Sequence, residues 1–285
     1  MKIGNKEISE NKSTYIIGEI GINHNGSIIL AKSLIDIAVK CGCDAVKFQK
    51  RDIDLVYTKE ELDKPRNSVY GKTNGDLKRG LEFSFEDYKE LFSYASKKGI
   101  DIFASPWDIN SVDFLEQLNP CCYKIASACI TDETLLKKIS DTNKPVIIST
   151  GMSSLEQIKK ALSYFDKDKV ALLSCTSTYP TDDQDINLNK ILSLKHEFPN
   201  IPIGYSGHES DIIPTIIAVS MGACIVERHI TISKELWGSD QKASLGPENL
   251  KSLVSEIRRI NVIKGDGKIK ILDSEKPICD KLRRY

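Results

Sequence analysis

The sequence predicts an α/β chain of the (β/α)8 TIM-barrel type, and two observations carry that reading. Short apolar runs alternate with longer amphipathic ones eight times along the 285 residues. Strict alternation of this kind implies a parallel sheet with helices between its strands. Eight pairs in about 250 residues suit a closed barrel better than an open sheet. No G-x-G-x-x-G follows the first run, which takes support from a dinucleotide-binding open sheet.

The first strand is TYIIGEIG (14–21), and IILAKSLIDIAVKCG (28–42) has helical spacing that stops at Gly42 as a C-cap. DAVKFQ (44–49) gives the second strand. The polar segment 50–82 has no periodicity and is interrupted by Pro65 and by glycines. SFEDYKELFSYASKKG (84–99) is a helix with Ser84 as N-cap and Gly99 as its stop. Further strands are expected at 101–106, 121–127, 145–150, 170–176, 201–206 and 223–229. Helices are expected at 108–118, 131–141, 153–165, 186–197, 211–221 and 247–264. The barrel domain then spans 1–265, and 266–285 is a linker-like tail.

Composition narrows the class. With 40% hydrophobic and 28% charged residues, the chain can bury one large core. Forty Lys and Arg balance forty Asp and Glu, so no global field draws nucleic acid or an acidic membrane. No signal peptide and no apolar run of membrane-spanning length is visible. The eight cysteines (41, 43, 121, 122, 129, 175, 224, 279) form no C-x-x-C pair. Reduced thiols and a cytoplasmic protein acting on small molecules are expected.

Active sites of such barrels lie at the C-terminal ends of the strands. Those ends carry Glu19 followed by Asn23 and His24, Lys47 and Gln49, Ser105, Lys124 and Ser127, and Ser149 and Thr150. The last three strands add Ser174, Thr176 and Tyr179, then Ser206 and His208, then Glu227 and His229. Serine and threonine also suit turns. Lys47 and Lys124 are more informative, because each sits between apolar neighbours and an inward ammonium needs an anionic partner. Either a structural ion pair with Glu19 or Glu227, or an anionic ligand such as a phosphate or carboxylate, supplies it. His208 and His229 end neighbouring strands that lie ~4.8 Å apart, so both imidazoles can share a divalent ion. Hydrogen-bonded rim histidines are the alternative. Alternation sends Glu227 and His229 to one side and Arg228 to the other, where an acidic partner is expected behind the strand.

The stretches GEIGINHNG (18–26), VKFQK (46–50), YKIAS (123–127), ISTGMSS (148–154), CTSTYPT (175–181), PIGYSGHE (202–209), VERHIT (226–231) and WGSDQKAS (237–244) together resemble the sialic acid synthase family. The resemblance implies a barrel that condenses phosphoenolpyruvate with an N-acetylmannosamine-type sugar, releasing phosphate and a nine-carbon 2-keto acid. It implies a divalent cation, Mn2+ or Mg2+, held by His208 and His229. It implies that Lys47, Ser105, Lys124, Ser127, Ser149 and Ser206 hold phosphoenolpyruvate. Glu19, Tyr179, Glu227 and Asp240 would face the sugar and the proton transfers, with Gln49 in the matching motif. Legionaminic and pseudaminic acid synthases, and enzymes using the 6-phosphorylated sugar, share most of these motifs; a non-enzymatic barrel subunit is the further alternative.

Two departures stand out. Many members carry an acidic residue where this chain has Cys129, which is expected to pack. Full-length members also continue into a small antifreeze-like domain, which in the homodimer lends an arginine to the partner's sugar site. EKPICDKLRRY (275–285) matches the start of the linker to it, so a barrel without that domain is expected. The loop YGKTNGDLKRGLEF (70–83) is expected at the barrel mouth, either as a lid or as a solvated loop.

Overall fold

A computed structural model describes residues 1–284. Eight parallel strands alternate with helices. The strands are β1 (Tyr15–Gly21), β2 (Ala45–Lys50), β3 (Asp101–Pro106), β4 (Tyr123–Ile125), β5 (Val146–Ser149), β6 (Val170–Cys175), β7 (Ile203–Gly207) and β8 (Ile225–His229). Behind them run α1 (Ile28–Cys41), α2 (Phe85–Lys98), α3 (Ile109–Glu116), α4 (Glu133–Asp141), α5 (Leu155–Leu162), α6 (Asn189–Glu197), α7 (Ile213–Ser220) and α8 (Pro247–Ile263). Ladders run continuously from β3 through β2, β1, β8, β7, β6 and β5 to β4. β3 and β4 then face each other across the seam, so the sheet curls nearly shut into the predicted barrel.

Local sequence explains the helix ends. Gly42 closes α1 in the left-handed region, as expected, and Ser27 caps its start. Ser84 and Asp87 form a capping box at the start of α2, and Ser154 and Gln157 form another at α5. Several elements are shorter than their apolar runs. The fourth strand keeps only three residues, because Ser127–Cys129 turns away as a 3-10 segment. The helix expected at 186–197 is split by Asn187, which adopts a left-handed conformation between Asp183–Ile186 and α6.

Segment 50–82, which shows no periodicity, is nevertheless folded. It holds the short helices Ile53–Val56 and Lys59–Leu62, a hairpin of Pro65–Ser68 with Gly71–Thr73, and the helix Asn74–Leu81. Thr73 and Asp76 form a capping box on that last helix, and Leu77 and Phe83 are buried. Pieces this short carry fewer than three turns each, so no period accumulates. Residues 70–83 are therefore a capped, packed element rather than a bare loop.

The two faces of the strands divide the core. Outward residues such as Ile16, Val46, Ile102, Ile148, Leu172 and Val226 pack under the helices. Inward residues form a second cluster around Tyr15, Ile17, Ala45, Phe103, Leu173 and Ile225. Ile3 and Ile8, from an N-terminal hairpin of Lys2–Ile3 with Lys6–Glu7, join this cluster fully buried. The same inward rows then become polar on the next step up: Tyr15 and Ile17 give way to Glu19, Ala45 to Lys47, Phe103 to Ser105, and Ile225 to Glu227. Gly204 on β7 has no room for a side chain, since a Cβ there would meet the Ile225 carbonyl oxygen at 2.4 Å.

Candidate active site

Register sets the polar layer side by side. Glu19 pairs with Lys47 on one side and His229 on the other, Gln49 pairs with Ser105, and Ser206 pairs with Glu227. The side chains enclose a cavity of about 200 Å³. Glu19, Lys47, Gln49, Ser105, Lys124, Ser127, Ser149, Tyr179, Ser206, His208, Glu227 and His229 all line it. Asp240 does not, but its Oδ2 lies 3.8 Å from His229 Nδ1 at the rim.

The structural ion pairs weighed for the lysines are present. Lys47 Nζ lies 2.9 Å from Glu19 Oε2 and 3.8 Å from Glu227 Oε1, while Lys124 Nζ is 3.6 Å from Glu227 Oε1. Lys47 also donates to Ser105 Oγ at 3.1 Å, and Lys124 to Ser149 Oγ at 2.7 Å. Ser206 Oγ donates to Glu227 Oε1 at 3.3 Å. Two ammoniums and two carboxylates thus form a buried quartet without net charge. Glu19 Oε2 has the Lys47 ammonium as its one partner, while Oε2 of Glu227 is buried with none. Such an orphaned acceptor is costly unless a ligand or water meets it.

The quartet separates its two acids. Burial pushes the Glu19 carboxyl up to about 7 against the pull of Lys47, with the Glu227 charge adding to the rise. Burial also opposes ionisation of Glu227, but Lys124 and Lys47 outweigh it and hold that carboxyl below its usual range. One carboxyl is therefore poised to carry a proton near neutrality while the other stays ionised. Burial lowers the Lys124 ammonium. Burial would lower Lys47 too, yet Glu19 and Glu227 hold it above its usual value. Gln49 acquires a definite place: its Nε2 donates to Glu19 Oε1 at 2.8 Å, and its Oε1 accepts from Arg51.

A model of the NeuB family matches residues 34–269. The chain belongs to the NeuB family. It is 40% identical to the N-acetylneuraminate-9-phosphate synthase of Mus musculus over 272 residues, 94% of this chain and 76% of that protein. It is 38% identical to the N,N'-diacetyllegionaminic acid synthase of Campylobacter jejuni over 281 residues, 96% of this chain and 84% of that one. The crystal structure of the sialic acid synthetase of Leptospira borgpetersenii, in complex with citrate, superposes with a TM-score of 0.87 at 33% identity, covering 100% of this chain and 98% of that chain. NeuB-family homologues are synthases of sialic and related nonulosonic acids, which supports phosphoenolpyruvate-dependent condensation in general terms.

A NeuB-family reading brings a divalent cation with it, and the donor atoms can be tested for one. His208 Nδ1 lies 2.7 Å from the Thr176 carbonyl oxygen. A carbonyl only accepts, so Nδ1 carries a proton and Nε2 is the atom left to face an ion; burial would lower this imidazole, but Cys175 and the Thr176 carbonyl hold it above its usual value. His229 Nδ1 is buried without a hydrogen-bond partner, and burial pushes this imidazole down to about 4, keeping it neutral. The two rings stand 5.5 Å apart between centroids. Among the described residues, no three His, Cys, Asp or Glu side chains gather into a metal cluster. The pair fits an ion that leaves its other positions to water and substrate.

Cys175 is the residue that the sequence reading passed over on this NeuB-family barrel. Ser174 and Thr176 attracted notice as strand-end hydroxyls, but the inward row of β6 runs Ala171, Leu173, Cys175. Ser174 Oγ is buried on the other face without a partner. Counting by twos from Leu173 would have found the thiol. Cys175 Sγ accepts from Ser127 Oγ at 3.7 Å. Burial would raise the thiol, but His208 holds it below its usual value. Trp107, Met152 and Ser177 also line the cavity from loops that have no period to read. Cys129 packs in the core, where burial pushes its thiol up to about 11.

Proposed function

We propose that this chain condenses phosphoenolpyruvate with an open-chain N-acetylmannosamine-type sugar, releasing phosphate and forming an N-acetylneuraminate-type nine-carbon 2-keto acid. The observation that carries this reading is the convergence of Lys47 and Lys124, with the hydroxyls of Ser105, Ser149 and Ser206, on a closed-bottom cavity that also holds two glutamates with opposite protonation preferences. The ammoniums and hydroxyls bind the phosphate and carboxylate of phosphoenolpyruvate, taking over from the internal ion pairs. Ser127 and Gln49 complete the walls.

In this reading C3 of phosphoenolpyruvate attacks the aldehyde carbon, and the carbonyl electron pair moves to its oxygen. Glu19 gives that oxygen a proton. Water adds to the cationic C2 and loses a proton to Glu227; the remaining C2 hydroxyl proton then passes to the phosphate oxygen as the C2–O bond to phosphate breaks, leaving the ketone. One proton given and one taken balance the sequence. His208 and His229 would hold the divalent cation, Mn2+ or Mg2+, which when bound polarises the aldehyde as a Lewis acid. Tyr179, whose ring lies 4.0 Å from that of His208, and Asp240 would flank the sugar. The acetamido pattern of the sugar is the variable, because relatives named for sialic and for legionaminic products match at similar identity.

The reading extends to a cytoplasmic homodimer with a barrel domain over 1–265 and a tail beyond. Eight free cysteines support a reducing compartment. No helix among the described residues is long and apolar enough to cross a membrane. The dimer rests on the resemblance, and light scattering of the purified chain checks it. The reaction is checked by mixing the chain with phosphoenolpyruvate, Mn2+ and acetamido sugars and following phosphate. Sugar-dependent release is expected; its absence with every sugar would overturn the condensation.

A further inference from the structure

The inward row of β2 does not stop where the strand ends. Ala45, Lys47 and Gln49 alternate towards the interior, and Arg51 is the next position by twos, one residue past the strand. Its side chain is only 10% exposed, and its guanidinium lies over Trp107, 4.1 Å from the ring centre. A buried arginine at a strand end is ordinarily held by a structural ion pair, and Glu82 is within reach. That carboxylate is already taken by Lys50, whose Nζ donates to Glu82 Oε2 at 2.7 Å, while Arg51 Nη1 stands 3.9 Å from Oε1. The close contact of the guanidinium is instead with Gln49 Oε1. Arg51 Nε is buried there without a partner, so the placement does not serve the hydrogen bonding of the guanidinium itself.

An arginine only donates, so the Gln49 amide must turn its oxygen to Arg51 and its nitrogen to Glu19. Tyr88 donates to the Gln49 carbonyl at 2.7 Å and holds the backbone, which leaves the side-chain amide as the part that can turn over. Set as it is, the amide donates from Nε2 to Glu19 Oε1 at 2.8 Å. Reversed, its oxygen would face a carboxyl that becomes charged on giving up a proton.

We infer that Arg51 is a positioning residue for the condensation: it fixes the Gln49 amide so that an N–H meets the charge left on Glu19 when the proton passes to the aldehyde oxygen. Arg51 does not line the reaction cavity and acts through Gln49, which does. The inference deepens the condensation reading and rests on Glu19 as its proton donor. A contact that strengthens as charge develops acts on kcat and leaves the binding of phosphoenolpyruvate alone.

A double-mutant cycle on folded variants tests it, following phosphate release with phosphoenolpyruvate, Mn2+ and the acetamido sugar turned over fastest. Arg51→Met should lower kcat about 10-fold or more, the scale of one hydrogen bond to a charged group, with KM for phosphoenolpyruvate within about twofold. Gln49→Met should lower kcat at least as far, and adding Arg51→Met to it should lower kcat no further. Arg51→Lys, which keeps a charged donor, should retain more of kcat than Arg51→Met. If Arg51→Met does not fold, Arg51→Gln, neutral and of shorter reach, takes its place in the cycle. An arginine that serves stability alone would cost the same factor with or without the Gln49 amide. Equal factors, or an unchanged kcat on losing the charge, overturn the inference while the condensation stands. No release from the unaltered chain with any acetamido sugar overturns both.

Discussion

At the scale of single residues, the chemistry lies in how burial treats similar side chains differently. His208 holds its Nδ1 proton against the Thr176 carbonyl and His229 Nδ1 has no partner, and each replaced by alanine should abolish sugar-dependent phosphate release and weaken Mn2+ binding in a titration. Release that persists in both variants would remove the metal assignment. His24 shows the opposite use of a histidine. Its ring stacks on Phe83 at 4.2 Å and its Nδ1 accepts from the Gly26 N–H at 3.0 Å. Burial pushes it down from 6.5 to about 3, so the unfolded chain binds its proton first as pH falls. Stability present above pH 6.5 should therefore be lost on acidification towards 3, at about 1.4 kcal/mol per pH unit from this group. Urea midpoints between pH 6.5 and about 5, above the ordinary carboxylate range, measure that slope. His229, lowered in the same way, adds to this slope and Glu19, raised to about 7, opposes it; His24→Asn, which retains an acceptor, should therefore change the slope by about the share of His24 alone, and an unchanged slope would rule out that share.

At the scale of elements, β8 divides its labour by alternation. Glu227 and His229 face the cavity, while Arg228 is buried behind the strand with Glu209 Oε1 at 2.7 Å, as the sequence led us to expect. Arg228 also donates to Thr215 Oγ1 and to the Asp211 carbonyl, both at 2.8 Å, and Tyr205 donates to Glu209 Oε2 at 2.9 Å. This cluster clamps the ends of β7 and β8, the two strands that lead to His208 and His229. Arg228→Met should cost about 3–5 kcal/mol by leaving Glu209 buried and uncompensated, read as a lower urea midpoint. Adding Glu209→Gln should recover part of the loss; no recovery would mean that packing rather than charge holds the clamp. The strands were readable because each is a short apolar run followed by a longer amphipathic one, even where the strand itself keeps only three or four residues. The inward Lys47, Lys124, Glu19 and Glu227 were readable because charge inside an apolar run is rare. The hairpin at Pro65–Thr73 was not, since its strands are too short for a pattern and its partner loops are distant in sequence. Cys175 was missed because attention to polar residue types displaced the count of alternate positions.

At the scale of the molecule, the barrel interior has two storeys: an apolar one closed below by Ile3 and Ile8, and a polar one above. A vessel stoppered at one end has a single doorway, and its contents must queue. Lys47 and Lys124 are almost wholly enclosed, while Tyr179 at the mouth is 47% exposed. Whatever occupies the ammoniums must arrive before the sugar and depart after the sugar acid. Steady-state kinetics should therefore follow compulsory sequence: phosphoenolpyruvate first in, phosphate last out, with phosphate competing against phosphoenolpyruvate but not against the sugar. Crossing patterns that instead show either reactant entering first would mean that the floor, or the seam between β3 and β4, opens a second door.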